Sequence, residues 1–557
     1  MKIKIPVMVQ DPKLSGRMNL TRLFDTNYVD EDFFLDGPVV RRVAVLDFDS
    51  ETGKRRPGVP FRLPSGRRLG RYQISDEGDI YASDFMAVNV FSTVFRTMHM
   101  FEEPETLGRP LVWGFNGPQL LVVPRAGEWA NAFYDRESRS LQFFFFENPQ
   151  DPAHKVYTCL SRDIVSHETG HAILDGIAPR LYDAITPESL ALHEAVADLV
   201  AVVMAFRSGE LREAILKETN GSIANVNAFS SIAEEFGQVL YHRGYLRDLR
   251  NSLHMDQVDH SEPHELSQVL SAALYKMIIG MHERWWQKYS GKGAPLNFSK
   301  SGKALGSAVD QFKRMAFRAL DYLPPAEVSF ADYARAIIAA DQASHPDSGQ
   351  ERQFIRQEFV ERGIVSGPEA LEIQTNFEHP AVQALDLETL VSSDWAAYDF
   401  ANRNRDLLHI PADIPFQVEP RLDVTKLYYH REGKEQMVRE CLFKVWWVQS
   451  EPNPLGPAWP QQRQISVGTT LAIDWETRRV RALLTTDRSA RPAEAEAQRA
   501  DRDAILRRLV QTDMLQAGAP TPGPDGKPIT SGIQADVSKG VMRVRSMARM
   551  LHMIEEA

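Results

Sequence analysis

The chain has 557 residues, 43% of them hydrophobic and 25% charged, which is ordinary for a globular protein and too long for one core, so two or three domains are expected. Its 64 Lys and Arg against 75 Asp and Glu leave a formal charge of −11, which argues against a general nucleic-acid binder. Two cysteines, Cys159 and Cys441, cannot supply a disulfide framework, and neither belongs to a metal motif.

In chain order, the N-terminal "MKIKIPVMVQDPKLSGR" has no apolar h-region and no small-residue cleavage site, so no Sec signal is expected. No uninterrupted apolar span long enough to cross a bilayer follows it, and the expected location is cytoplasmic as encoded, with export by a non-Sec route left open. Residues 39–146 carry strand and turn signals such as "VVRRVAVLDFDSETGKRRPGV" and "LQFFFFEN", interrupted by the helically spaced "DFMAVNVFSTVFRTMHMFEE". The basic stretch "KRRPGVPFRLPSGRRLGR" reads first as a solvated loop. From residue 159 to about 365 the apolar spacing is helical. Strands first and helices afterwards predict an α+β arrangement with a seam between the halves. Beyond "HPAVQALDLETL", the strand-like "CLFKVWWVQ", the hairpin-like "TLAIDWETRRVRALLTT" and the helix former "RPAEAEAQRADRDAILRRLVQ" predict a separate, smaller α+β module. "AGAPTPGPDGKPITSG" reads as a linker, and the tail is read as an amphipathic helix with Val541, Val544, Met547, Leu551 and Ile554 on one face. The expected divisions are 1–155, 156–375, 376–516 and 517–557.

Inside residues 166–176, His167-Glu168-Thr169-Gly170-His171 spells H-E-x-x-H. On a helix, residues four apart share a face, so His167 and His171 can address one ion with Glu168 beside it. A catalytic zinc needs a third protein ligand. The metzincin arrangement is excluded, because three and six positions beyond His171 stand Leu174 and Ile177. The next helix, "ALHEAVADLVAVV", offers Glu194 with 22 residues between it and His171, and Asp198 one turn later as an acceptor for a ligand histidine.

"DIVSHETGHAILDG" followed by "HEAVADL" resembles the thermolysin-type gluzincins, the M4-like zinc metallopeptidases. The resemblance extends over residues 84–365, about half the chain, and implies a β-rich N-terminal lobe followed by a mainly helical lobe. It implies one catalytic Zn2+ held by His167, His171 and Glu194, with Asp198 supporting a ligand histidine. His193 and Ala197 stand where the family has Asn and Ser. Tyr182, eleven residues after His171, matches a tyrosine that hydrogen-bonds the transition state. "NAFY" resembles the family's edge-strand segment, so Asn131 and Ala132 are expected to hold substrate backbone. In "VDHSEPHELSQVLSAALYKMI", His264 matches the catalytic histidine and Asp259, five residues earlier, its orienting aspartate. Arg247 in "YLRDLRNS" matches the substrate-binding arginine.

These matches imply an endopeptidase in which a zinc-activated water attacks the peptide carbonyl, with Glu168 as general base and then acid. His264 and Tyr182 would stabilise the developing oxyanion. The substrate is a polypeptide paired by strand addition. Ile164 and Leu246 at pocket positions imply a hydrophobic residue after the scissile bond. No G-x-M-E-N segment of the gluzincin aminopeptidases is present. Calcium stays open: Asp163 matches one Ca2+ ligand, but "RSGELREAILKETNGSIANV" replaces the acidic segment of a double site. The alternative is a catalytically weak scaffold of the same fold acting through the C-terminal module as a protein-binding unit. Separately, that module or its tail is read either as covering the cleft or selecting a protein substrate, or as a tail helix docked on its own module as core.

Overall fold

The computed structural model describes the chain except residues 1, 11, 13–22, 30–32, 50–51, 64–68, 77, 149–150, 226, 228–229, 233–246, 294, 296, 347–348, 430–434, 518–532, 538–539 and 553–557, and describes only the backbone of Arg247 and a few others. The described chain is mixed α+β. Near the N-terminus, strand Lys2–Val7 pairs antiparallel with Leu23–Val29 and parallel with Leu69–Tyr72. A second sheet joins β1 (Val43–Val45), β2 (Leu120–Val123), β3 (Ala132–Asp135) and β4 (Ser140–Phe143) in the order β1-β2-β4-β3. Strand β3 is therefore an outer strand, antiparallel to β4. Helix α1 (Ser83–Glu102), on the segment read as helical, is buried on most of its surface. Its Asn89 accepts from the Met8 N–H at 2.7 Å and donates to the Cys159 carbonyl at 3.0 Å, which ties the first strand to the turn before the next helix.

That next helix, α2 (Arg162–Ile177), starts at Ser161, whose hydroxyl accepts the Ile164 N–H at 3.5 Å. Pro187 and Pro263 open α3 (Pro187–Phe206) and α4 (Pro263–Ser290), where the missing N–H has no helical partner to lose. Gly170 lets α2 and α3 touch: a Cβ there would stand 3.0 Å from Ala197 Cα and 3.3 Å from Val200 Cβ. Among the described residues α3 is the one helix long and apolar enough to span a bilayer, and it is wholly buried, packed on both α2 and α4. That is the position of a central core helix.

The C-terminal region builds a nine-stranded sheet around β5 (Leu422–Tyr429), β6 (Glu435–Pro452), β7 (Gln462–Asp474) and β8 (Val480–Thr485). The predicted hairpin is the β7–β8 pair, in which Leu471 faces Leu483. Alternation along β6 gives the sheet two different faces. Cys441, Phe443, Val445 and Trp447 join Phe400, Leu471 and Val480 in a core of their own under short helices. Glu440, Leu442, Lys444 and Trp446 look the other way, and Leu442 with Ala472 and Leu484 belongs to the same core as α2 to α4. The module is thus fused to the helical half through one sheet face and does not stand clear of it. Helix α5 (Pro492–Gln511) covers the segment read as a helix former and packs against α3.

The tail corrects the sequence reading. The expected amphipathic helix is a strand, Val541–Arg545, followed by a 3-10 turn, Met547–His552. Met542 and Val544 are buried while Arg543 and Arg545 are exposed, a period of two, and the strand runs parallel to β7 at Gln462 and Arg463. Ser546 then takes a positive φ of 54°, which ends the strand. Ile554 and most of the expected linker lie outside the described residues.

Candidate metal centre

Helix α2 carries His167 and His171 one turn apart, and the close approach at Gly170 brings Glu194 of α3 to them. His167 Nε2 and His171 Nε2 lie 3.1 Å apart. Glu194 Oε2 lies 3.6 Å from His167 Nε2, and Oε1 lies 3.4 Å from His171 Nε2. All three ligand atoms stand within 4.8 Å of one another. Bonds of about 2.0–2.1 Å to a tetrahedral ion put donor atoms about 3.4 Å apart, and each of these contacts is near that length, with a different Glu194 oxygen facing each imidazole. The donor set therefore fits a divalent cation.

The surroundings favour the same conclusion. Glu194 and Asp198 are almost completely buried, and a buried carboxylate is costly unless positive charge offsets it. Asp198 Oδ1 stands 3.1 Å from His167 Nδ1, on the side of the ring away from the Nε2 that faces the cluster. Burial disfavours a charged His167, but the hydrogen bond to Asp198 and the nearby Glu194 outweigh it and push the imidazole above its ordinary value.

Glu168 is near enough to His167 to act on its charge, and its Oε2 accepts the Tyr134 N–H of outer strand β3 at 3.1 Å. Asn131 and Ala132 stand at the start of that strand, with Asn131 Oδ1 accepting from the Ala132 N–H at 2.7 Å. His264, at the start of α4, places Nε2 3.7 Å from Glu194 Oε1. The structure thus gathers His167, His171, Glu194, Asp198, Glu168 and His264 from three helices.

For two expected residues the structure shows other partners. Asp259 does not face His264: its Oδ1 accepts from the N–H and the hydroxyl of Ser261 at 2.8 and 2.7 Å, closing a local turn. The carboxylate beside His264 Nδ1 is that of Glu262, at 3.4 Å. Tyr182 is buried on the turn between α2 and α3, and its hydroxyl accepts the Arg136 N–H at 3.3 Å. Its ring meets His193 at 6.2 Å between centroids, and His193 stacks on His171 at 5.7 Å. Burial pushes the Tyr182 hydroxyl well above its ordinary range, which keeps it a neutral donor. Arg247 begins the short strand Arg247–Asp248; its side chain and Leu246 lie outside the described residues. Ile164 is half-buried on the first turn of α2. Asp163 is buried and bound to Gln10, and among the described residues no second group of three ligating side chains gathers that would hold calcium.

Glu262 was not singled out from sequence, although it stands only two positions before His264. His193 was visible there as a departure from the family motif. The sequence matches no protein-family profile and no curated protein.

Proposed function

We propose that this chain is a zinc-dependent endopeptidase of the thermolysin-like gluzincin type. The observation that carries the reading is the His167–His171–Glu194 cluster, with one ligand atom of each within 4.8 Å of the others, beside a glutamate hydrogen-bonded to an outer strand. When bound, zinc supplies a Lewis acid that brings the pKa of a water down towards neutrality. Asp198 holds the Nδ1 proton of His167 and so keeps its Nε2 available as a ligand. The Glu168 carboxylate, steadied at Oε2 by the Tyr134 N–H, takes the proton of the attacking water and returns it to the leaving amine. As the scissile carbonyl oxygen gains charge, the Nε2–H of His264 donates to it. A polypeptide substrate pairs along β3 from Asn131 and Ala132, and an extended backbone held this way suits an internal bond. A hydrophobic residue after the scissile bond goes with the half-buried Ile164.

One observation favours the scaffold alternative. The 3-10 turn at the tail packs against β3 and the Tyr182 turn, with Arg549 Nε 3.3 Å from Asp135 Oδ1 and the Ser546 N–H donating to Asp183 Oδ1 at 2.8 Å. An intramolecular partner for the C-terminal region thus lies beside the proposed substrate strand. One experiment separates the two readings: metal analysis of the purified protein together with cleavage of an unfolded polypeptide by wild type and Glu168→Gln. The peptidase reading requires one zinc per chain and cleavage lost in the variant. Stoichiometric zinc with no cleavage, or cleavage that survives Glu168→Gln, supports the scaffold.

A further inference from the structure

We propose that Arg508, on accessory helix α5, acts through Glu262 as a positioning residue for His264, so that the C-terminal region completes the catalytic site. The inference rests on the peptidase reading above. An imidazole that donates from Nε2 to a substrate oxygen needs its Nδ1–H held by an acceptor, because otherwise the ring rotates and the tautomer is not fixed. That acceptor is Glu262, whose Oε1 lies 3.4 Å from Nδ1, while Asp259 is engaged by Ser261.

Glu262 has a flexible side chain and its two oxygens face different partners. Arg508 Nη2 donates to Oε2 at 2.5 Å, and Nη1 reaches Ser261 Oγ and Asp259 Oδ2, both at 3.3 Å. One guanidinium therefore spans the whole turn that leads into α4. A planar fork with two donor edges suits this task, whereas an ammonium would meet one partner at a time.

Arg508 is itself held, because α5 is docked along its length. Two turns earlier, Asp501 Oδ1 lies 3.2 Å from His260 Nδ1, and His260 Nε2 donates to the Met255 carbonyl at 2.9 Å. Ile505, between Asp501 and Arg508, is fully buried. On the adjoining face, Arg502 donates to Glu451 Oε1 at 2.7 Å and to Thr186 Oγ1 at 3.2 Å, which fixes the helix to β6 and to the start of α3.

The test compares the full-length zinc-loaded protein with Arg508→Ala, Arg508→Lys, Glu262→Gln and the control Arg507→Ala on a fluorogenic peptide. Removing an outer partner of this kind costs about 10–100-fold. The expected result is a fall of that size in kcat for Arg508→Ala and Glu262→Gln, KM within about threefold, unchanged zinc content, partial recovery in Arg508→Lys and no change in Arg507→Ala. Hydrogen exchange of residues 259–266 should rise in Arg508→Ala in the same zinc-loaded protein. Wild-type activity with kcat retained in Arg508→Ala overturns the positioning role alone. The same holds if Asp259→Asn takes the kcat loss in place of Glu262→Gln. A wild type that cleaves nothing overturns both this proposal and the peptidase reading beneath it.

Discussion

The candidate metal centre and the seam under the accessory sheet both bury acidic groups, and they set different side chains beside them. At the seam, Lys426 Nζ lies 3.1 Å from Asp321 Oδ2 and 2.9 Å from Glu440 Oε1, all three side chains being fully buried. Arg109 adds a bond to Asp321 Oδ1 at 2.7 Å, while Tyr322 and Tyr428 both donate to Glu440 Oε2. Burial alone would raise the Asp321 carboxyl, but Arg109 and Lys426 outweigh it and hold it far below its usual range. In the candidate metal centre, imidazoles of His167, His171 and His264 lie beside Glu194, and Asp198 meets His167 and the Ser271 hydroxyl. Ammonium and guanidinium groups face the acids at the seam, and imidazoles with the donor atoms of a metal site face them in the centre.

Breaking each side of that contrast should give a different signature. The largest effect belongs to Glu194→Gln, which keeps the shape and removes the anionic ligand. Metal content should fall at least tenfold and peptidase activity by more than about 100-fold, beyond what loss of an outer partner costs. Metal analysis with the peptide assay measures both, and a variant that keeps its zinc refutes Glu194 as a ligand.

Lys426→Met removes the ammonium shared by Asp321 and Glu440, leaving Arg109 on the first and two tyrosine hydroxyls on the second, and breaking a buried pair this way costs about 3–5 kcal/mol. Urea unfolding should report that loss, while the folded fraction keeps its metal and its kcat. Gly170→Ala sits at the contact of α2 and α3, where the added methyl should cost about 1–3 kcal/mol. Because the strain falls between His171 and Glu194, competition with a chelator should show weakened metal binding as well. Unchanged affinity would mean that the helix spacing does not set the ligand triangle.

The smallest effect is a pH dependence on the far side of the centre. The hydrogen bond to Asp501 pushes His260 up to about 9 from its ordinary value of 6.5, against a smaller opposing effect of burial. A raised pKa in the folded state means that its stabilisation is complete below pH about 6.5 and is lost as pH rises through about 9. Thermal unfolding of wild type should therefore lose a component between those values that His260→Gln lacks. Parallel curves for the two proteins would remove His260 from the docking of α5.

Much of the centre was legible because it is periodic. The spacing of His167 and His171 and of Glu194 and Asp198 states which side chains share a helix face, and Gly170 marks where two such faces approach. The turn before α4 has no period, and sequence distance did not decide whether Asp259 or Glu262 faces His264. In the tail, Val541, Val544, Met547 and Leu551 fit helical spacing, but pairing with β7 depends on residues some 80 positions away and selects the strand. The burial of Glu440 and Lys444 on β6 is set at the same kind of distance, because Asp321 and Tyr322, which lie close to them or pair with them, are more than a hundred positions earlier in the chain.

The clamp on His264 has a consequence for synthesis. Arg508 follows His264 by 244 residues, and at about 5–20 residues per second a ribosome needs roughly 12–50 s to supply that length. During that interval the helices that carry His167, His171 and Glu194 are already outside the tunnel while His264 still lacks Arg508. On the proposal made here, order of translation delays hydrolytic competence until the last third of the polypeptide has emerged and docked.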